Sequence, residues 1–374
     1  MQERITAILA DLVGIPSVNP DMDGGAGEAA LARHIAGRLT ALGLDSRLQP
    51  VGADRFNVTA TVPGREPGPA LLLNGHMDTV GVEGMPDPFS LRREGDRLYG
   101  RGAYDMKGSL AVMIALAEQW RDVPPRHDVV LSFVCDEETD SRGMQALVGD
   151  GLDRPASDFA GAIVLEPTEE RIAIAHKGFV WFETVVTGAA AHGSRPEQGV
   201  EAIMPLAAAL QALSRQQERL ASATPHPLVG RGTLHPGTVS GGSALSVIAD
   251  RARLDWERRT LPGETRESME AELTEVLAAV RAWPGRHEVT GRILLERSPF
   301  ETAADASLVR ALQDCVREPE VVGVSFWADS AFAHAAGIPT VLYGPVGHGA
   351  HAVDEWISLA SMVRVAEVLA DVAE

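Results

Sequence analysis

Through the first half of the chain, short continuous apolar runs alternate with stretches whose apolar positions recur at helical spacing. Ile5, Ile8, Leu9, Leu12 and Val13 share one helical face. Residues 28–42 predict a second helix, ending near Gly43. Residues 70–73 read as a short buried strand, and 107–120 as a helix with Leu110, Met113, Ile114 and Ala117 on one face. Further buried strands are predicted at 129–135, 161–165 and 340–343, with a helical stretch at 329–336 and a closing helix over 358–372. Strands that are apolar throughout, alternating with helices, predict an α/β fold: a mostly parallel sheet covered by helices on both faces.

The middle of the chain follows another rule. Val180, Phe182, Thr184 and Val186 alternate with polar neighbours over 179–187, as a half-exposed strand requires. A helix over 199–214, strands at 233–241 and 251–258, a helix over 265–282 and a strand at 288–295 come next. The order β-α-β-β-α-β is the split, ferredoxin-like pattern. It predicts an α+β domain of residues 178–292 inserted into a first domain made of 1–177 and 293–374. An open sheet face and two sheet edges make the inserted domain a natural place for dimer contact.

The length of 374 residues agrees with about two domains of ~100–200 residues each. A net charge of −19 argues against nucleic acid as a partner, because phosphate binding needs a basic face. Cys135 and Cys315 are the two cysteines and form no CxxC pair, so neither a disulfide framework nor a cysteine-rich zinc site is expected. Glu3 and Asp11 interrupt the first twenty residues, which rules against a secretory signal. No apolar run is long enough to span a bilayer, so the expected location is the cytoplasm, with no membrane partner.

The chemistry lies where the apolar strands end. Asp136, Glu137 and Glu138 leave the 129–135 strand together and would repel one another unless a cation sits nearby. Solvent exposure is the expectation for Asp136. His76 and Asp78 follow the 70–73 strand, and in extended chain both point the same way. Asp78 can then accept from the ring N–H and orient His76, although a lone histidine there is more often a core residue. Asp105 stands between glycines just before a helix, where an N-cap is the simpler explanation. Glu166 ends another apolar strand, and the segment 344–355 carries His348 and His351 among glycines. Each feature has a bland explanation, but their coincidence at four strand ends does not. In open α/β sheets the site lies beyond the carboxyl ends of the strands. Two histidines and three or four carboxylates suffice for two zinc-like ions ~3.5–4 Å apart, bridged by one carboxylate.

The segments GHMDTV, GRGAYDMKGSLA, DEETDSRG, LEPTE, AHGSRPEQGVEAI, RRTLPGE and GHGAHAVDEW resemble, in order, the motifs of a known amidase family. It contains acetylornithine deacetylase, succinyl-diaminopimelate desuccinylase, aminoacylase and glutamate-releasing carboxypeptidases. The resemblance implies a catalytic metal-binding domain with an inserted lid and dimerisation domain, and a homodimer. It implies that Asp105 bridges two divalent ions, that His76 and Glu166 complete one site and that Glu138 and His351 complete the other. His351 is preferred over His348 because the family histidine precedes an acidic pair at the spacing of Asp354-Glu355. His348 is left to line the pocket. Glu137 is implied to be the general base, and His192 an oxyanion donor reaching across the dimer. Arg259 resembles the family arginine that binds the substrate carboxylate, with Arg258 beside it as competitor. Ser246 stands where the family usually carries an asparagine; its hydroxyl reaches less far, so substrate contacts are expected to differ. Zinc is the expected metal, and cobalt or manganese also suit N/O ligands. The expected reaction is hydrolysis of the amide of an N-acylated amino acid. The alternative is a dipeptidase or carboxypeptidase acting on short peptides with the same two metals. A binding module that kept the fold and lost catalysis is disfavoured by the presence of every ligand and of Glu137.

Overall fold

The computed structural model describes residues 1–22 and 24–374. The chain divides into two compact units. One comprises Met1–Ile174, Thr302–Val322 and Ala328–Glu374, and the other Ala175–Glu301 with Gly323–Trp327.

The larger unit is built on a mixed sheet that includes, in order, Ser46–Gly52, Arg55–Val62, Val129–Val134, Ala70–His76, Phe159–Val164 and Thr340–Leu342. Every residue of Ala70–His76 and Val129–Val134 is buried, as an apolar run covered on both faces must be. These two strands run parallel, with His76 opposite Val134. Phe159–Val164 runs parallel to Ala70–His76, and Thr340–Leu342 parallel to Phe159–Val164. The shared direction brings the four strand exits to one edge of the sheet. The helix Gln2–Gly14 buries the five residues that periodicity selects. Gly108–Trp120 departs from the expected single face: Gly108 through Ala117 are all buried, so it is a core helix surrounded by protein.

The hairpin Ser46–Gly52/Arg55–Val62, paired antiparallel to the sheet through Val129–Val134, has no counterpart among the sequence-based expectations. Its inner strand buries Arg55, Asn57 and Thr59, which interrupt the apolar pattern. Its outer strand is an edge carrying Pro50.

The smaller unit holds an antiparallel sheet in the order Thr233–Gly241, Arg251–Thr260, Gly178–Thr187, Glu288–Arg297. The helices Ile203–Ser222 and Arg266–Arg281 pack on it through Leu206, Leu213, Met269 and Val276 against Phe182, Leu254 and Trp256. Phe182 and Trp256 stack with ring centroids 3.8 Å apart. The first helix starts and ends later than the expected 199–214. Val200 exchanges backbone hydrogen bonds with Ala189, which keeps the residues before the helix extended. The buried stripe then continues to Gln216.

Candidate metal centre

Two histidine–carboxylate groups meet at Asp105. His76 Nε2 lies 3.0 Å from Asp105 Oδ1 and 3.8 Å from Glu166 Oε1. His351 Nε2 lies 3.4 Å from Asp105 Oδ2 and 3.0 Å from Glu138 Oε2. Each Asp105 oxygen therefore faces a different histidine. Within each triplet, His76–Asp105–Glu166 and Asp105–Glu138–His351, the ligand atoms lie within 4.8 Å of one another. The donors are imidazole nitrogen and carboxylate oxygen, the set that zinc, cobalt and manganese accept. Glu138 Oε1 is buried with no hydrogen-bond partner among the described residues, an atom a cation would satisfy. The residues fit two divalent ions. His348 stands outside both triplets, with its ring 3.8 Å from an Asp354 oxygen.

Local structure explains the convergence. Asp105 follows Gly102, whose φ of +77° is a turn conformation that a β-carbon disfavours. The Asp105–Met106 peptide bond is cis. Gly344 passes so close to the Glu166 strand that a β-carbon there would lie 2.2 Å from the Glu166 carbonyl oxygen. His351 itself has a φ of +65°.

The role expected of Asp78 is divided between its backbone and its side chain. The His76 ring meets the Asp78 backbone carbonyl through Nδ1 at 3.0 Å, while the nearer carboxylate oxygen is 3.7 Å away. The carboxylate instead accepts from the Glu137 and Glu138 backbone N–H groups, both at 3.1 Å, and from Asn19 Nδ2 at 2.8 Å. Asp78 thus orients His76 with its backbone and holds the Glu137–Glu138 turn with its side chain.

The expectation that Asp136 faces solvent is wrong: its side chain is fully buried. Arg55 Nη1 sits 2.8 Å from Asp136 Oδ1, and Thr139, Asn19 and the Arg142 N–H donate to the same carboxylate. Arg55 also grips Glu28, itself fully buried, whose Oε1 accepts the Asp136 N–H at 3.1 Å. Burial, followed by the Asp78 charge, raises the Glu28 carboxyl, and Arg55 opposes the rise. The repulsion at the strand exit is therefore answered twice, by His351 beside Glu138 and by Arg55 beside Asp136. Nothing local in the sequence marked Arg55, Glu28 or Asn19. Replacing Arg55 with methionine removes the cation that buried Glu28 and Asp136 share and should destabilise the fold by about 3–5 kcal/mol. Urea unfolding measures this; Arg55→Met combined with Glu28→Gln should lose less than Arg55→Met alone.

The cluster sets its own proton affinities. Burial pushes Glu137 well above the usual carboxylate range; His76 opposes, while the charges of Glu166, Asp329 and Glu138 add to the rise. Burial pushes Glu166 up to about 8 against the pull of His76. Burial alone would raise Asp105, but hydrogen bonds from His351 and His76 hold it well below its ordinary value. Hydrogen bonding to Asp105 and Glu138 pushes His351 up to about 10. Asp329, which the sequence reading passed over, is buried at the start of the helix Ser330–Ala335 and bears on both Glu137 and Glu166.

The other expected residues lie in the smaller unit. His192 is exposed in a short ladder, paired opposite Val247, and Gly193 N–H donates to the Ser246 carbonyl at 2.7 Å, so His192 and Ser246 are neighbours. Arg258 is fully buried and paired with Glu264 and Glu272. Arg259 keeps a side chain 34% exposed, bound to Glu257 and lying 5.1 Å over the Phe179 ring, which leaves it the accessible member of the pair.

Residues 72–374 match the model of peptidase family M20/M25/M40. The acetylornithine deacetylase of Proteus mirabilis (strain HI4320) is 33% identical over 374 residues, covering 97% of this chain and 94% of that one. The acetylornithine deacetylase of Yersinia pseudotuberculosis serotype O:1b (strain IP 31758) is 30% identical over 366 residues, 92% of this chain and 90% of that one. Among solved structures, a tripeptidase from Staphylococcus aureus superposes with a TM-score of 0.79 at 19% identity, covering 100% of this chain and 97% of that chain. A dinuclear metal-binding peptidase from Bacillus subtilis gives a TM-score of 0.73 at 17% identity, with coverage of 100% and 97%. At these identities the two structures show the shared fold.

Proposed function

The chain belongs to peptidase family M20/M25/M40, and from that premise we propose that it is a two-metal amidase that removes the acyl group from an N-acylated amino acid, in the manner of acetylornithine deacetylase. One observation carries the metal reading: the two oxygens of Asp105 each face a different histidine–carboxylate pair. The acyl-amino-acid reading is supported by relatives of that name at 33% and 30% identity along nearly the whole chain. His76, Asp105 and Glu166 would hold one ion, and Asp105, Glu138 and His351 the other, zinc before cobalt or manganese. When bound, the ions polarise the scissile carbonyl and lower the pKa of water.

The protein's own groups do the rest. Glu137 lies outside both triplets, beside Glu138 at the same strand exit. Its carboxylate takes the proton of the attacking water and passes it to the leaving nitrogen. Burial raises its proton affinity in the metal-free site, the direction a proton acceptor needs. Asp78 fixes the turn that aims it. His192 supplies a hydrogen-bond donor to the oxyanion that forms from the substrate carbonyl, from the partner subunit of a homodimer. Arg259 binds the substrate carboxylate, and Ser246 adds a hydrogen bond of shorter reach than an asparagine. The dimer reading is supported by the edge strand Thr233–Gly241, exposed at every residue but Leu234, with Val239 57% and the nearby Met204 55% exposed. No helix among the described residues is long and apolar enough to cross a membrane, and two free cysteines agree with a reducing, cytoplasmic setting.

Metal affinity should strengthen as pH rises toward about 10, the value to which Asp105 and Glu138 push His351. An imidazole must lose its proton to bind a cation, so below that pKa protons compete for the site. Zinc titrations by calorimetry in two buffers of different ionisation heat should show protons released at neutral pH; equal heats in both would contradict this. The substrate reading is tested by hydrolysis of N-acetylornithine, N-succinyl-diaminopimelate, N-acetylmethionine and dipeptides with metal restored. Turnover of N-acyl amino acids is expected. Turnover of dipeptides alone would replace it with the peptidase alternative.

A further inference from the structure

Glu355 lies four residues beyond His351, on the segment that brings that histidine to Asp105, and its side chain is buried to 1% exposure. Its carboxylate is fully engaged. Oε1 accepts the backbone N–H of Tyr104 at 2.8 Å and of Asp105 at 3.1 Å. Oε2 accepts the backbone N–H of Gly102 at 2.9 Å and Arg101 Nη1 at 2.7 Å. Four donors converge on one side chain, and three belong to the backbone of the loop that carries Asp105. A charged acceptor binds such donors about twice as strongly as a neutral one.

We propose that Glu355 is a positioning residue that locks the His351 segment to the Asp105 loop and so builds the Asp105–Glu138–His351 metal site. The proposal rests on the two-ion reading of the centre. Glu355 is not a ligand: both its oxygens are taken by N–H donors. Its action is geometric. Asp105 presents Oδ1 to one histidine and Oδ2 to the other, so a small rotation of its backbone moves both oxygens. The Asp105–Glu138–His351 site has two of its three ligands on segments that Glu355 joins, whereas the His76–Asp105–Glu166 site has one.

The variant Glu355→Gln tests this without changing shape. An amide keeps one acceptor oxygen and replaces the other with an N–H₂ donor. Arg101 holds the oxygen on its own side, so the new donor faces the N–H groups of Tyr104 and Asp105. The clash falls on the backbone of the shared ligand. Zinc binding to the full-length protein after chelation, followed by calorimetry, should give two equivalents for wild type. In Glu355→Gln one equivalent should weaken by about 10–100-fold, the cost of losing an outer partner of a metal ligand, while the other changes less. With cobalt in place of zinc, the visible spectrum at two equivalents should change while the first equivalent's does not. Glu355→Asp, which keeps the charge at shorter reach, should recover part of the affinity. If wild type binds two ions and Glu355→Gln binds both as tightly, with only a lower melting temperature, Glu355 is merely structural and the proposal fails while the metal reading stands. If wild type does not bind two ions, the metal reading fails and the proposal with it. If Glu355→Gln does not fold, Arg101→Lys serves instead: it keeps a cation but loses the fork, and unchanged affinity for both ions would overturn the proposal.

Discussion

The variant Glu137→Gln should lose about 10²–10⁴-fold in kcat, the usual contribution of a positioned general base, and keep its full complement of metal. Glutamine has the shape of glutamate and no proton affinity in the useful range. The residue's structural bond is made by its backbone, which donates to Asp78, so the turn survives the change. Glu137 belongs to neither ligand triplet, so metal content should stay at the wild-type value. KM should change little, because the lost step is proton transfer and not binding. Steady-state hydrolysis together with metal analysis of the same preparation separates the possibilities. Full activity would remove Glu137 from the mechanism, and loss of metal would make it a ligand.

Asp105→Ala should strip both ions together. Its two oxygens serve two histidines, so one substitution removes a donor from each site. Losing an outer-sphere partner already costs 10–100-fold in metal affinity, and losing a shared ligand should cost more than about 100-fold at both sites. Glu166→Ala and Glu138→Ala should each affect one site, which distinguishes a bridge from an ordinary ligand. Metal retained after dialysis is the measurement; two tightly held ions in Asp105→Ala would deny the bridge.

The sheet's core was legible because 70–73, 129–135 and 161–165 are almost wholly apolar runs, and the strands they fall in are buried at every residue but Ala160. The candidate ligands were legible in part because parallel strands release their next residues at one edge, which brings His76, Glu137 or Glu138, and Glu166 together; the choice of Glu138, Asp105 and His351 rested on the resemblance of their motifs. What escaped was what polar residues do when buried. The strand Arg55–Val62 buries arginine, asparagine and threonine, and no element was expected there. Asp136 reads as solvent-facing until Arg55, Glu28 and Asn19 come to it from far along the chain. Glu355 reads as half of an acidic pair, and its four donors lie some 250 residues earlier. Such pairings carry no periodicity, since each depends on the fold being complete. The acidic triplet at the strand exit separates accordingly: Asp136 is answered by an arginine, Glu138 faces His351, and Glu137 faces neither.

The central claim is that one carboxylate joins two metal sites. Crystals grown with zinc and measured on both sides of the zinc absorption edge test it directly. Two anomalous peaks ~3.5–4 Å apart, one against His76, Asp105 and Glu166 and the other against Asp105, Glu138 and His351, are the predicted result. A single peak with Asp105 bound through one oxygen, or peaks that exclude Asp105, would contradict it.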